Sequence, residues 1–155
     1  MTTNRDAFLT MLAISEGTQD QGDQHGYNVL VGSRPGRGIQ MATLKRHPHV
    51  IVQFNSKQWS SAAGRYQLIW STWCNLEQRL NLPDFSPASQ DAAAIELIRG
   101  AGALNDVDMG RIEDAITKCR HIWASLPGAG YDQHENQMAD LITAYQQAGG
   151  EVAAG

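Results

Sequence analysis

The stretch "AISEGT", residues 13–18, sets a carboxylic acid, Glu16, at the end of an apolar run and directly before a glycine. Three local effects oppose its ionisation. Apolar neighbours make the charge costly, the negative end of a helix dipole repels it, and no Lys or Arg follows within several residues to neutralise it. All three raise a carboxyl above its usual value of about 4.3. An acid that keeps its proton near neutral pH is suited to general-acid cleavage of a glycosidic bond. The bland reading is a helix-end glutamate pointing into solvent, and the local residues leave both readings open.

Other chemistries find less support. The "HPH" at 47–49 has no HExxH pair and no acid nearby in sequence, so no metal site is expected. "GAG" and "GRG" lack the following Lys-Ser/Thr or strand context of a phosphate cradle, and no cofactor is implied. "WSSAAG" is not a G-x-S-x-G elbow, and Cys74 has no partner pattern for a thiol nucleophile. Trp59, Tyr66, Trp70 and Trp73 overlap a basic stretch, but Trp70 and Trp73 fall in a helical pattern that reads as core, so nucleic acid is not the expected partner.

The elements that must position Glu16 follow from periodicity. Phe8, Leu9, Met11, Leu12 and Ile14 recur at spacings of three and four, with Thr3 or Asn4 as cap and Gly17 as stop, which predicts a short helix over 5–15. "YNVLVG" (27–32) and "HVIVQF" (49–54) are rich in β-branched and aromatic residues between turn formers and read as strands of a small sheet. Helical patterns then run from Tyr66 to Leu80, from Pro87 through Ile98 with Ser86 as cap, from Ile112 to Trp123, and from Met138 to Ala148 before "GG". The expected class is α+β, mostly α, with a β-lobe over about 26–60.

At 155 residues the chain fits one domain, and it is long enough to fold without disulfide or metal. Cys74 and Cys119 both sit among helix-type apolar residues and read as small core hydrophobes rather than a bridge. The opening residues lack the charged and apolar regions of a secretory signal, and no apolar run has the roughly 18 residues of a membrane span. No acid occurs from Gln24 to Leu76, a stretch with six Lys and Arg, while the remainder holds 16 acids against six bases. One lobe is therefore basic, which reads either as a solvated face or as a surface that meets an acidic polymer.

"AFLTMLAISEGT", "HGYNVLVG", "GRYQLIWSTW", "FSPASQDAAAI" and "IWASLPGAGYDQ", in that order between about Arg5 and Gly150, resemble the phage-lambda type of endolysin, the murein transglycosylases of host lysis. The resemblance implies a lysozyme-like fold in which a small β-lobe and a larger helical lobe flank a glycan-binding cleft. It implies that Glu16, in "SEGT", is the one essential glutamate. The reaction would cut the bond between N-acetylmuramic acid and N-acetylglucosamine of peptidoglycan and leave a 1,6-anhydro ring. A hydrolytic muramidase and a non-catalytic wall-binding module are the alternatives.

Carried over residue by residue, "GRYQ" makes Tyr66 and Gln67 candidates to orient Glu16 or to hold an N-acetyl group, and "GAGYDQ" makes Tyr131 a candidate to stack on a sugar. Ser60 and Ser61 are candidates to line the groove. Asn28 stands where the family pattern usually has Asp, which leaves a hydrogen-bonding role, and Ile14 replaces a bulkier aromatic beside the glutamate. The resemblance further implies a monomer without cofactor or metal, made in the host cytoplasm and released to the periplasmic wall by a holin.

Overall fold

The structure is a computed structural model that describes residues 2–21, 25–30, 41, 43–53, 57–130 and 135–154. Its elements in chain order are α1 (Asn4–Glu16), β1 (Val52–Gln53), β2 (Trp59–Ser60), α2 (Trp70–Leu80), α3 (Pro87–Gly100), α4 (Leu104–Asp108), α5 (Ile112–Cys119) and α6 (Met138–Gln147). They group into two compact units, Met1–Ser15 with Ala94–Gly155, and Glu16–Ala93.

In the first unit, α1 opens on a reciprocal cap. The Thr3 hydroxyl accepts the Asp6 N–H at 3.1 Å and the Asp6 carboxylate accepts the Thr3 N–H at 3.1 Å, which satisfies two donors that have no partner inside the helix. Ala7, Phe8, Met11, Leu12 and Ser15 form its buried stripe. The helix stops where Gly17 turns to φ +77°, a left-handed conformation that costs glycine least.

Helices α4 and α6 both pack on α5, whose Ile112, Ala115, Ile116 and Cys119 are buried. Asp106, buried on α4, receives Lys118 Nζ at 2.6 Å and Arg111 Nε at 2.8 Å; these bonds hold its carboxyl below the usual range. Cys119 and Cys74 are both free, and burial pushes the Cys119 thiol up to about 12, so it packs as a hydrophobe.

The second unit departs from the expected strands. Residues 27–28 lie in a turn, and Leu30 makes a single antiparallel bridge to Ala63; residues 31 and 32 lie outside the described part. Of the expected strand over 49–54, residues 49–51 are irregular, residue 54 lies outside the described part, and β1 pairs antiparallel with β2 in the register Val52↔Ser60 and Gln53↔Trp59. Helix α2 begins at Trp70 rather than Tyr66, because Gly64 (φ +82°) and Gln67 (φ +52°) hold 64–67 in a turn.

The "HPH" motif is structural. The buried His47 ring packs near Trp70, Trp73 and Phe85, accepts the His49 N–H at Nδ1 (3.0 Å) and so donates from Nε2 to the Leu68 carbonyl (2.7 Å). Burial lowers its pKa, which keeps the imidazole in that neutral tautomer.

Among the described residues, Gly64 is the tightest glycine of this unit. A Cβ there would land on Gln90 Oε1 and within 2.9 Å of Phe85 Cζ. Gln90, fully buried, accepts the Arg65 N–H and donates to the Tyr27 and Phe85 carbonyls, so it has no free direction in which to yield. Gly64→Ala is therefore expected to destabilise the fold by about 3 kcal/mol, the left-handed penalty plus overpacking. Urea unfolding measures it, and a cost under about 1 kcal/mol would show that the turn relaxes.

Candidate active site

Glu16 is the last residue of α1 and the first of the second unit. No basic residue stands in the helix's last turn, and its carboxylate has no hydrogen-bond or ion-pair partner among the described residues. Part of the side chain reaches the surface, yet it lies deep enough among protein atoms for desolvation to push its pKa from 4.5 to about 8. At neutral pH it is mainly protonated. Ile14, the apolar residue two positions before it, is 41% exposed, so it does not supply the enclosure.

The turn after Glu16 is fixed by backbone-directed bonds. The buried Thr18 hydroxyl donates to the Arg65 carbonyl at 2.5 Å, and Gln21 Nε2 donates back to the Gly17 carbonyl at 2.6 Å. Gly26 (φ +90°) approaches so closely that a Cβ would come within 2.7 Å of the Thr18 Cβ. Gly17, Thr18 and Gly26 thus set the exit of the chain from Glu16, and Arg65 is tied to the same turn through its carbonyl.

Around Arg65 lies a polar cluster that the local sequence patterns did not reveal. Asp91, on α3, accepts the hydroxyls of Tyr27 (2.9 Å) and Tyr66 (2.5 Å). Arg65 donates from Nη1 to Tyr27 Oη at 3.0 Å and from Nη2 to Gln19 Oε1 at 2.6 Å, with its guanidinium 5.1 and 5.7 Å from the centroids of the two tyrosine rings. Burial, first of all, raises both phenols. The signal was faint: Asp91 opens the run "DAAAI", a lone acid on an otherwise apolar helical stripe.

The residues named from sequence are placed as follows. Tyr66 is fully buried, its hydroxyl engaged by Asp91. Gln67 Nε2 donates to the carbonyls of Gly64 (2.9 Å) and Val29 (3.4 Å). Ser61 Oγ accepts the N–H of Trp70 at 2.9 Å and so caps α2 from nine residues away, while Ser60 Oγ accepts the Ala62 N–H. Asn28 is buried, and its carbonyl accepts the Met41 N–H. Tyr131 lies outside the described residues. Tyr66 and Gln67 belong to the turn 64–67, which bonds to Val29 next to Asn28, but none of the three touches Glu16 through a described hydrogen bond.

Comparison with known proteins narrows the reading. The endolysin family model matches residues 6–152. The chain is 46% identical to the endolysin of Escherichia phage P2 over 95% of its own length and 93% of that protein's. It is 48% identical to the endolysin of Escherichia phage lambda over 96% and 92%. A structure of bacteriophage lambda lysozyme in complex with a chitohexasaccharide superposes with a TM-score of 0.92 at 45% identity, covering 98% of this chain and 97% of that one. A second structure of lambda lysozyme gives 0.87 at 44% identity over the same shares. The mostly helical chain with its small two-stranded sheet thus has a lysozyme-like fold, and it belongs to the endolysin family.

Proposed function

We propose that this chain cuts the glycan strands of peptidoglycan as a lytic transglycosylase, with Glu16 as its single catalytic acid and base. As a phage endolysin it is a cell-wall-degrading enzyme. The observation that carries Glu16 as the acid is its carboxyl, raised to about 8 by burial and free of any ion pair among the described residues, while the preference for a transglycosylase is argued from the scarcity of a second acid in the sequence. That lambda lysozyme, so similar to this chain, holds a chitohexasaccharide supports an amino-sugar strand as the ligand.

The steps balance without water. Protonated Glu16 gives its proton to the glycosidic oxygen of the departing N-acetylglucosamine as the bond from that oxygen to C1 of the muramic acid breaks. The muramic C6 hydroxyl oxygen then bonds to C1, and its proton passes to the Glu16 carboxylate, which restores the acid and closes a 1,6-anhydro ring. The attack is intramolecular and so has a high effective concentration. Hydrolysis needs a second carboxylate roughly 5 to 9.5 Å away, as nucleophile or as base for water. The chain carries no acid from Gln24 to Leu76, and only Asp20 and Asp23 follow Glu16 closely in sequence.

Asn28, Ser60, Ser61, Gln67 and Tyr131 complete the proposed glycan-binding set, while Tyr66 serves from the interior by holding the turn 64–67. The proposed enzyme is a monomer without cofactor, made in the host cytoplasm and passed to the periplasmic wall by a holin. Among the described residues no helix is long and apolar enough to cross a membrane. Mass spectrometry of a murein digest tests the mechanism. Muropeptides with anhydro-muramyl ends, one water lighter than reducing ends, are expected; reducing ends alone would assign a hydrolase, and intact murein a binding module.

A further inference from the structure

The last turn of α1 is held by a residue 121 positions away. Asn136 Nδ2 lies 3.0 Å from the Ser15 carbonyl, 3.0 Å from Ser15 Oγ and 3.2 Å from the Ser125 carbonyl. The Asn136 N–H also donates to the Ser125 carbonyl at 2.8 Å, and the two serine hydroxyls lie 2.7 Å apart. Two of the three atoms facing Nδ2 are carbonyl oxygens, so the amide orientation is forced: a turned amide would set Oδ1 against both. Because α1 ends at Glu16, the Ser15 carbonyl is one of the acceptors that a helix leaves without an intrahelical partner. Asn136 supplies that partner from outside the helix.

The chemistry of this cap suits the residue beside it. Lys and Arg can also bond the last carbonyls of a helix, where their charge complements the dipole. A cation bonded to the Ser15 carbonyl would stand next to Glu16 and favour its ionised form. A neutral amide fixes the same carbonyl without adding charge. Beside Asn136, the Glu135 carboxylate accepts the N–H groups of Gly128 (2.9 Å) and Gly130 (3.0 Å).

We infer that Asn136, with Ser15 and Ser125, is a positioning residue for the reaction: it locks the terminal turn of α1 and so fixes where the chain presents the Glu16 carboxyl. This rests on Glu16 being the catalytic acid. Asn136→Ala frees the Ser15 carbonyl and admits water to the turn. It is expected to lower kcat on purified murein about tenfold with KM changed less than twofold, because the loss is one of geometry at the reacting group. The alkaline limb of its pH–rate profile should move about one unit to lower pH as the acid becomes hydrated. Ser125→Ala, which keeps the Ser125 carbonyl but removes its hydroxyl, should shift both in the same direction by less.

A folded Asn136→Ala enzyme with wild-type kcat and an unmoved alkaline limb overturns the inference, even if its melting temperature falls. Should Asn136→Ala not fold, Ser125→Ala decides alone, and a wild-type limb in that variant overturns it equally. Glu16→Gln run alongside separates the two readings. If Glu16→Gln keeps full activity, the assignment of the acid fails; if it is inert while Asn136→Ala is unaltered, only the positioning role fails.

Discussion

Glu16→Gln is expected to lower murein cleavage by at least about a thousandfold, since general acid–base catalysis contributes about 10²- to 10⁴-fold and the proposed mechanism uses one carboxyl in both directions. Glutamine keeps the length and planarity of the side chain and can still hydrogen-bond, so the last turn of α1 and its bonds to Asn136 should stay in place. What disappears is the transferable proton. Sedimentation with insoluble murein should therefore recover the variant nearly as well as the wild type. The same carboxyl sets the pH profile of the wild type. With its pKa at about 8, the fraction protonated, and with it the rate, falls about tenfold per pH unit above that value. Product release from Glu16→Gln within tenfold of wild type would remove this carboxyl from the chemistry. A wild-type protein that binds murein and releases nothing would instead be a wall-binding module.

The fold was legible where local signals agreed. Helix α1 was readable because its apolar stripe, its Thr3 cap and Gly17 all mark the same span, and α6 because its period ends at paired glycines. Over 27–30 no strand forms among the described residues: 27–28 lie in a turn, and Leu30 meets Ala63 in an isolated bridge. Helix α2 starts late because the left-handed residues of 64–67 override the period of "YQLIW". Helix α4 went unread because five residues are too short to display a period. Helix α5 stops at Cys119, before Trp123, where Ile122 and Trp123 N–H groups both turn to the Cys119 carbonyl.

Of the proposed site, only Glu16 could be argued from its own sequence neighbourhood. It stood out because it ends an apolar helix just before Gly17 with no Lys or Arg close behind it, whereas the burial that raises its pKa does not come from its exposed neighbour Ile14. The partners that fix its surroundings are remote: Arg65 reaches the Thr18 turn from 47 positions away, and Asn136 reaches Ser15 from 121. Side-chain hydrogen bonds to distant backbone carbonyls leave no period and no spacing. For the same reason Tyr66 and Ser61 could be noticed as polar groups in "SSAAGRYQ" without it being evident that one hydroxyl closes on Asp91 and the other caps α2. A motif names residue types, whereas the direction in which each side chain spends its hydrogen bonds is decided by chain segments far from it.

The substitution that stops the reaction should also make the protein more stable. In the folded chain the Glu16 carboxyl titrates at about 8, against 4.5 when unfolded, so between those values the folded state keeps a proton that the unfolded state has released. Stability therefore falls as pH rises through this window, and below pH 4.5 the group is neutral in both states and contributes nothing. At about 1.4 kcal/mol per unit, the wild type at pH 7 carries a cost of about 3 kcal/mol that Gln cannot incur. Melting temperatures should coincide near pH 4 and diverge by roughly 6–12 °C in favour of Glu16→Gln near pH 7. His47 acts with the opposite sign, its lowered pKa giving stability that is complete above its unfolded value and lost on acidification, but it is common to both proteins and cancels in the difference. A gap between the two melting curves that stays flat from pH 4 to 8 would mean that Glu16 ionises like a solvated carboxylate. The desolvation that makes Glu16 a proton donor would then be absent, because the same desolvation must appear both as reactivity and as lost stability.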